Sequence, residues 1–290
     1  MSKTLNIIGG GTVGKTLGRL FCSEKLYKIS SIYNRTQDGA NKAVNYIGEG
    51  RAVTNLQDLE PAALNFVTTN DSALVEVCEE LAKSNIVQKG SIFVHCSGAL
   101  TSSVFGSLEK KGAFGCSAHP YKSFPTPDIA VSSFKGTPIG IEGHNIAKLE
   151  IIYAMNKVGA WCFEIDKEQK LIYHSSSVIL SNYLTALVEV GFSCLRKAGL
   201  DPQLIEKVTS PILRETLENV LREGSTNALT GPIARGDSET VKKQFQSLRE
   251  WDNNVSAVYR ELGRVAVAVS EDKGIADPSD LRRIKEILRG

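Results

Sequence analysis

The 290-residue sequence predicts two folds in series: an α/β domain with a doubly wound parallel sheet over residues 1–166, then an all-α domain over residues 167–290. Three observations carry that expectation. Short apolar runs alternate with helical periodicity from Leu5 to Ile165. A glycine-rich turn joins the first run to the first helix. From Lys167 onward only helical periodicity remains.

The opening stretch sets the pattern. Leu5 to Ile8 reads as a strand, Gly9, Gly11 and Gly14 follow as G-x-G-x-x-G, and Val13, Leu17, Leu20 and Phe21 mark a helix face. A second strand, Ile29 to Tyr33, completes the unit. This is the context of a dinucleotide-binding Rossmann turn: Gly9 makes the turn, Gly11 admits a pyrophosphate, Gly14 lets helix and strand pack, and Thr12 and Val13 contribute first-turn amides. At the end of the second strand, where NAD enzymes carry an acid for the ribose hydroxyls, stand Asn34, Arg35 and Thr36. A carboxylate would repel a 2′-phosphate, whereas an amide, a guanidinium and a hydroxyl bind one. The expected cofactor is therefore NADP(H).

Further elements follow in order. A helix is expected over 39–46, a strand over 51–53, a buried strand over 63–69 and a helix over 73–84. Strands at 91–95 and 113–117 flank a helix near 101–111. Residues 125–138 read as irregular, 139–142 and 161–165 as strands, and 145–158 as helix. In such sheets ligands sit beyond the carboxyl ends of the strands. The residues there are Thr68, Thr69 and Asn70, then His95, Ser97 and Gly98, then His119 and Pro120. Thr68, Thr69, Ser97 and Gly98 are candidates for the cofactor, and His119 for the catalytic pocket. His95 reads better as an ordinary polar strand exit of intermediate burial.

Past Asp166, helices are expected over 167–198, 203–222, 238–250, 253–273 and 278–288. On the first, Lys170, His174, Val178 and Asn182 step by four along one face. Hydride transfer to a carbonyl needs a proton donor and a group that orients the oxygen, roles suited to His174 and Asn182. The competing readings are a helix-start histidine and a satisfied buried amide; Lys170 reads as a solvated charge, and the serines at 175–177 as a packing surface. Thr230-Gly231-Pro232 reads as a tight turn with a helix starting at Pro232, whose N-terminus and Thr230 hydroxyl suit a substrate carboxylate. Arg235 either meets that carboxylate or pairs with Asp237.

Net charge is +2 and no basic block is present, so neither nucleic acid nor a membrane surface is an expected partner. No apolar run approaches membrane-span length, and the first residues read as lacking signal-peptide architecture. The six cysteines (Cys22, Cys78, Cys96, Cys116, Cys162, Cys194) are dispersed and the four histidines lack ligand spacing, which predicts reduced thiols, no metal and a cytoplasmic address. A long apolar helix in an all-helical domain predicts a homodimer.

The segments IIGGGTVG, VHCSGAL, AHPYKSF, YHSSSVILSNYLTAL and NALTGPIARGD occur in an order that resembles a family of Rossmann-like proteins with a helical C-terminal domain of unknown function. At superfamily level this group is similar to ketopantoate reductases, pyrroline-5-carboxylate reductases and 6-phosphogluconate-type dehydrogenases. The resemblance implies an NADPH-dependent oxidoreductase acting on a small oxo acid, with 2-dehydropantoate as substrate in pantothenate synthesis. Imine reduction, or NADPH binding without turnover, are its alternatives. Ketopantoate reductases use a Lys and an Asn one turn apart on the first helix after the nucleotide domain; here Val178 stands one turn before Asn182, so the catalytic assignment does not carry over unchanged.

Overall fold

The computed structural model describes residues 3–289. It divides into two compact units, one ending at Leu184 and the other starting at Thr185. In chain order the first unit contains β1 (Thr4–Ile8), α1 (Thr12–Ser23), β2 (Lys28–Tyr33), α2 (Gln37–Ile47), β3 (Arg51–Val53), β4 (Leu64–Val67), α3 (Asp71–Lys83) and β5 (Ile92–His95). Then come α4 (Gly106–Glu109), β6 (Phe114–Pro120), α5 (Pro127–Ser132), β7 (Pro138–Gly143), α6 (Asn145–Lys157), β8 (Trp161–Glu164) and α7 (Lys170–Ser177).

The strands form one eight-stranded sheet in the order β3-β2-β1-β4-β5-β6-β7-β8. Strands β1 to β6 run parallel, as expected. β7 is antiparallel to β6, and β8 is parallel to β7. Alternate side chains of the strands feed two cores, one on each face. Leu5, Ile7, Ile29 and Phe66 pack with Leu17, Phe21 and Ile151. Ile8, Val67 and Phe93 pack with Leu74, Cys78, Phe105 and Leu108. At roughly 25 cal/mol per Å² of apolar surface, these doubly covered strands supply most of the driving force for the unit.

Two asparagines lie inside the sheet, and both are satisfied. Asn6 donates to Glu60 O (2.7 Å) and Asn65 Oδ1 (2.9 Å) and accepts from Ser31 N (3.1 Å), where the β1–β2 register shifts. Leaving such groups unpaired would cost about 1–3 kcal/mol each.

Local chemistry accounts for the departures from expectation. The helix expected near 101–111 is a 3₁₀ turn, Ser102–Phe105, followed by the single turn of α4, because Ser102, Ser103 and Gly106 are poor helix formers. Within the stretch read as irregular, Thr126 caps α5 and Pro127 opens it.

The expected thirty-residue helix is present over Lys167–Lys197, but not as a uniform α-helix. It starts with a 3₁₀ turn, continues as α7, widens into a π-turn over Val178–Tyr183 and resumes as α8 (Leu184–Lys197). By length and composition it is apolar enough to cross a membrane, which corrects the reading that no run reaches that length. The apolar residues are interspersed with His174 and serines, so no unbroken run announces them. The two units meet within this helix, whereas the expected boundary lay at Asp166. The difference arises because α7 packs on the sheet, through Lys170 and Tyr173.

The second unit adds α9 (Pro202–Ala228), α10 (Ser238–Trp251), α11 (Asn253–Lys273) and α12 (Pro278–Ile287). α9 is regular until Gly224, whose φ of 79° breaks it just past the expected end at Arg222. Val241, Phe245, Val267, Leu281, Ile284 and Leu288 form this unit's core.

Candidate active site

The parallel strands place their carboxyl ends in one row. Ile8 pairs with Val67, Val67 with His95, His95 with Ser117, and Ser117 with Glu142 across the antiparallel junction. The loops that leave this row carry the glycine turn, Thr68-Thr69 and Ser97-Gly98, and β6 itself carries His119 two residues past Ser117.

The glycine turn has the expected division of labour. Gly9 has φ +115°, and a methyl group there would lie 2.7 Å from Thr68 carbonyl carbon. One at Gly14 would overlap Gly9 O and lie 2.7 Å from Thr68 Oγ1. Gly11 alone faces open space. Gly11 is also the N-cap of α1, with no side chain capping it and no acid in the first turn. The first intrahelical bond is Lys15 N to Gly11 O (2.9 Å), so the amides of Thr12, Val13 and Gly14 precede the ladder. Thr68 spends its hydroxyl on Gly9 O (2.7 Å), so it braces the turn rather than pointing at a ligand. Thr69 Oγ1 is buried without a partner. An uncapped helix start, an open glycine and an orphan hydroxyl fit a dinucleotide pyrophosphate.

At the end of β2, Asn34 Oδ1 accepts from Arg35 N (2.8 Å) and Thr36 Oγ1 caps α2 through Gly39 N (3.2 Å). Arg35 and Thr36 are exposed. The acid in the first turn of α2, Asp38, is paired with Lys42 at 2.7 Å.

A second centre forms around Gly98. A methyl group at Gly98 would overlap His174 Nδ1 and lie 2.8 Å from His119 Nε2. The two imidazoles stand edge to face, with centroids 5.4 Å apart. His119 Nδ1 shares a hydrogen bond with Tyr173 OH (3.0 Å), and Tyr121 OH one with Ser176 Oγ (3.0 Å). Burial, with help from His174 and Lys170, pushes the pKa of His119 down to about 4, so the ring is neutral at pH 7. Burial raises that of Tyr173 to about 12. His174 also contacts Ser177 Oγ through Nδ1 (3.3 Å).

His95 is fully buried against Phe105 and accepts from Ser97 N (3.2 Å), a core role consistent with its pKa falling to about 3. Ser97 Oγ accepts from Leu100 N (2.9 Å), shaping the loop that presents Gly98.

Other expectations are not met. Asn182 lies in the π-turn and is exposed; among the described residues it makes none of the contacts of His119, Tyr173 or His174. The wider turn breaks the step of four on which its placement rested. Lys170, read as a solvated charge, is 1% exposed and paired with Glu142 at 3.0 Å. No α-helix starts at Pro232, where Ile233–Arg235 forms a single 3₁₀ turn, so the carboxylate-binding helix N-terminus expected with Thr230 is not built. Arg235 is exposed and does not pair with Asp237, whose carboxylate instead caps α10 through Thr240 N (3.0 Å). The segment around Thr230 is braced by Lys273, which donates to Asn227 O (2.9 Å) and Leu229 O (2.7 Å).

Residues 2–120 match the model of a Rossmann-like domain, and residues 137–266 match a domain of unknown function, DUF2520. Together the two matches span most of the chain, and neither alone covers half of it. The DUF2520 match includes β7, β8 and α7 as well as most of the helical unit. No curated protein matches it. Among solved structures, protein TM1727 from Thermotoga maritima is 26% identical with a TM-score of 0.74, covering 93% of this chain and 99% of that one. A candidate NADP oxidoreductase from Bacteroides fragilis is 20% identical with a TM-score of 0.73, covering 93% and 98%. A pyrroline-5-carboxylate reductase from Coxiella burnetii is 14% identical with a TM-score of 0.60, covering 99% of both chains. These likenesses establish the shared two-part fold.

Proposed function

We propose that this chain is an NADPH-dependent reductase of a small oxo acid, with 2-dehydropantoate as the substrate. The observation that carries the reading is the pairing, on one row of strand ends, of an open uncapped α1 start at Gly11 with a histidine cluster around Gly98. The same kind of chemistry in the names of two fold neighbours, an NADP oxidoreductase and a pyrroline-5-carboxylate reductase, supports it.

In this reading the amides of Gly11 to Gly14 and the Thr69 hydroxyl hold the pyrophosphate. Asn34, Arg35 and the Thr36 O–H hold the 2′-phosphate, with Arg35 free to turn toward it because it is exposed. Ser97 and Gly98 back the nicotinamide end, and the cofactor supplies the hydride. Reduction of a carbonyl then requires a proton on oxygen. His174, half-buried beside Gly98, delivers it; neutral His119, oriented by Tyr173, directs a ring N–H or lone pair at the substrate oxygen or its water. Asn182, Thr230 and Arg235 have no assigned step.

The deciding experiment follows NADPH absorbance with 2-dehydropantoate beside pyrroline-5-carboxylate at matched concentrations. Turnover of the oxo acid alone is expected. Turnover of the imine alone would reassign the substrate class, and silence with both despite NADPH binding would make the chain a binding module. The phosphate site is tested separately: Arg35→Asp should raise the NADPH KM by more than tenfold, about 1.4 kcal/mol or more, and shift preference to NADH. An unchanged preference removes Arg35 from the site.

A further inference from the structure

A buried polar chain lies behind the histidine cluster and takes no part in the chemistry described so far. Lys170 Nζ donates to Glu142 Oε1 (3.0 Å) and to Ser117 Oγ, with both charged side chains all but inaccessible. Glu142 completes its shell with Ser102, accepting from its amide at Oε1 (2.8 Å) and from its hydroxyl at Oε2 (2.7 Å). Ser117 in turn donates to Ser97 O (3.4 Å). Burial opposes ionisation of Glu142, but Ser102 and Lys170 outweigh it and hold the carboxyl below its ordinary range.

Such a pair is a poor stabiliser. Taking each ion out of water costs several kcal/mol, and well-packed apolar side chains of similar volume do as well or better. What the pair provides is direction. Each of its anchors adjoins one part of the cluster. Ser97 precedes Gly98, and Ser102 closes the same loop. Ser117 lies two residues before His119 on β6, on the same face of the strand. Lys170 opens α7, one turn ahead of Tyr173 and His174. Glu142 sits opposite Ser117 on the antiparallel strand that only this sheet brings there.

We propose that Lys170 and Glu142 are positioning residues: together they clamp the start of α7 to β6, β7 and the 97–102 loop, so that Tyr173 meets His119 and His174 closes on Gly98. An apolar contact at this point would tolerate sliding of the helix, and small misplacements of a proton donor are costly to turnover. The effect on catalysis rests on the reductase reading; the effect on geometry does not.

The test uses the full-length protein carrying Lys170→Met with Glu142→Gln, which removes both charges while keeping volume and one acceptor oxygen for Ser102. Ser117→Ala is a milder second variant that removes the hydroxyl's ties to Lys170 and to Ser97 O and leaves the ion pair in place. Both should bind NADPH with an unchanged Kd, since no phosphate contact is touched. The double variant should lose at least about tenfold in kcat with the NADPH KM unaltered. In cofactor-free protein, the ring C2–H resonances of His119 and His174, assigned by single substitutions, should shift or broaden in both variants. Wild-type kcat and superposable His119 and His174 resonances would overturn the proposal. If the wild type turns over neither substrate, the reductase reading fails by itself and the resonances still decide the clamp. If the double variant does not fold, Ser117→Ala decides it in the same way.

Discussion

Gly98 is the residue on which the histidine cluster turns. Its missing side chain is the space occupied by His174 Nδ1 and His119 Nε2. Gly98→Ala should therefore lower kcat by more than about tenfold while changing NADPH affinity much less, because the methyl group displaces the rings and not the glycine turn. Steady-state kinetics beside NADPH titration check this; equal losses in both would place Gly98 in the cofactor site alone. Buried His95 and half-buried His119 also set an acid limit. His119 and His95 have pKa values of about 4 and about 3 in the fold, against an ordinary 6.5. Between those limits the unfolded chain binds more protons than the native one, so stability falls as pH falls. Their contribution is complete above about pH 6.5 and is lost progressively toward pH 3. Thermal unfolding from pH 8 to 3.5 should show this decline, and His119→Gln should flatten it.

At the level of elements, the glycine turn separates folding from binding. A methyl group at Gly11 meets no protein atom, and its φ of −76° suits any residue. Gly11→Ala should leave thermal stability within about 0.5 kcal/mol yet weaken NADPH binding at least tenfold, since the methyl group stands where the pyrophosphate approaches. Normal binding by Gly11→Ala would place the phosphates elsewhere. Gly14→Ala, by contrast, forces an overlap with Gly9 O and should destabilise α1 against β1. The π-turn at Val178–Tyr183 acts in the opposite sense, by defeating a pattern. A step of four from Lys170 to Asn182 describes an unbroken α-helix, which the wider turn interrupts.

At the scale of the whole molecule, the helices after Leu184 carry many exposed apolar side chains. In the second unit Leu187, Leu204, Ile212, Leu217 and Leu221 are all exposed, Leu221 by 78%. Large apolar side chains left bare in such number suit a covering partner. Self-association to a dimer, the expectation from sequence, should appear as a dimer in sedimentation velocity without detergent, and Ile212→Glu with Leu221→Glu should shift it toward monomer. A wild-type monomer at micromolar concentration would refute it.

Local physics made much of this protein legible in its sequence. Periodicity located all eight strands, because a side chain's face follows from its position in its own strand. The glycine turn was readable because Gly9 and Gly14 answer steric demands from near neighbours. The placement of His119 and Gly98 near strand ends was readable because parallel strands send their carboxyl ends to one edge. Lys170 was misread for an equally physical reason. At a helix start a lysine is normally solvated, and its burial depends on a carboxylate twenty-eight residues earlier on a strand whose direction the sequence does not announce. Thr68, Asn182 and Thr230 follow the same rule, since a brace, a π-turn and a missing helix are decided by packing. Sequence determined the elements and the chemistry carried at their ends; tertiary structure decided which charges are buried together, because that energy exists only once distant segments exclude water between them.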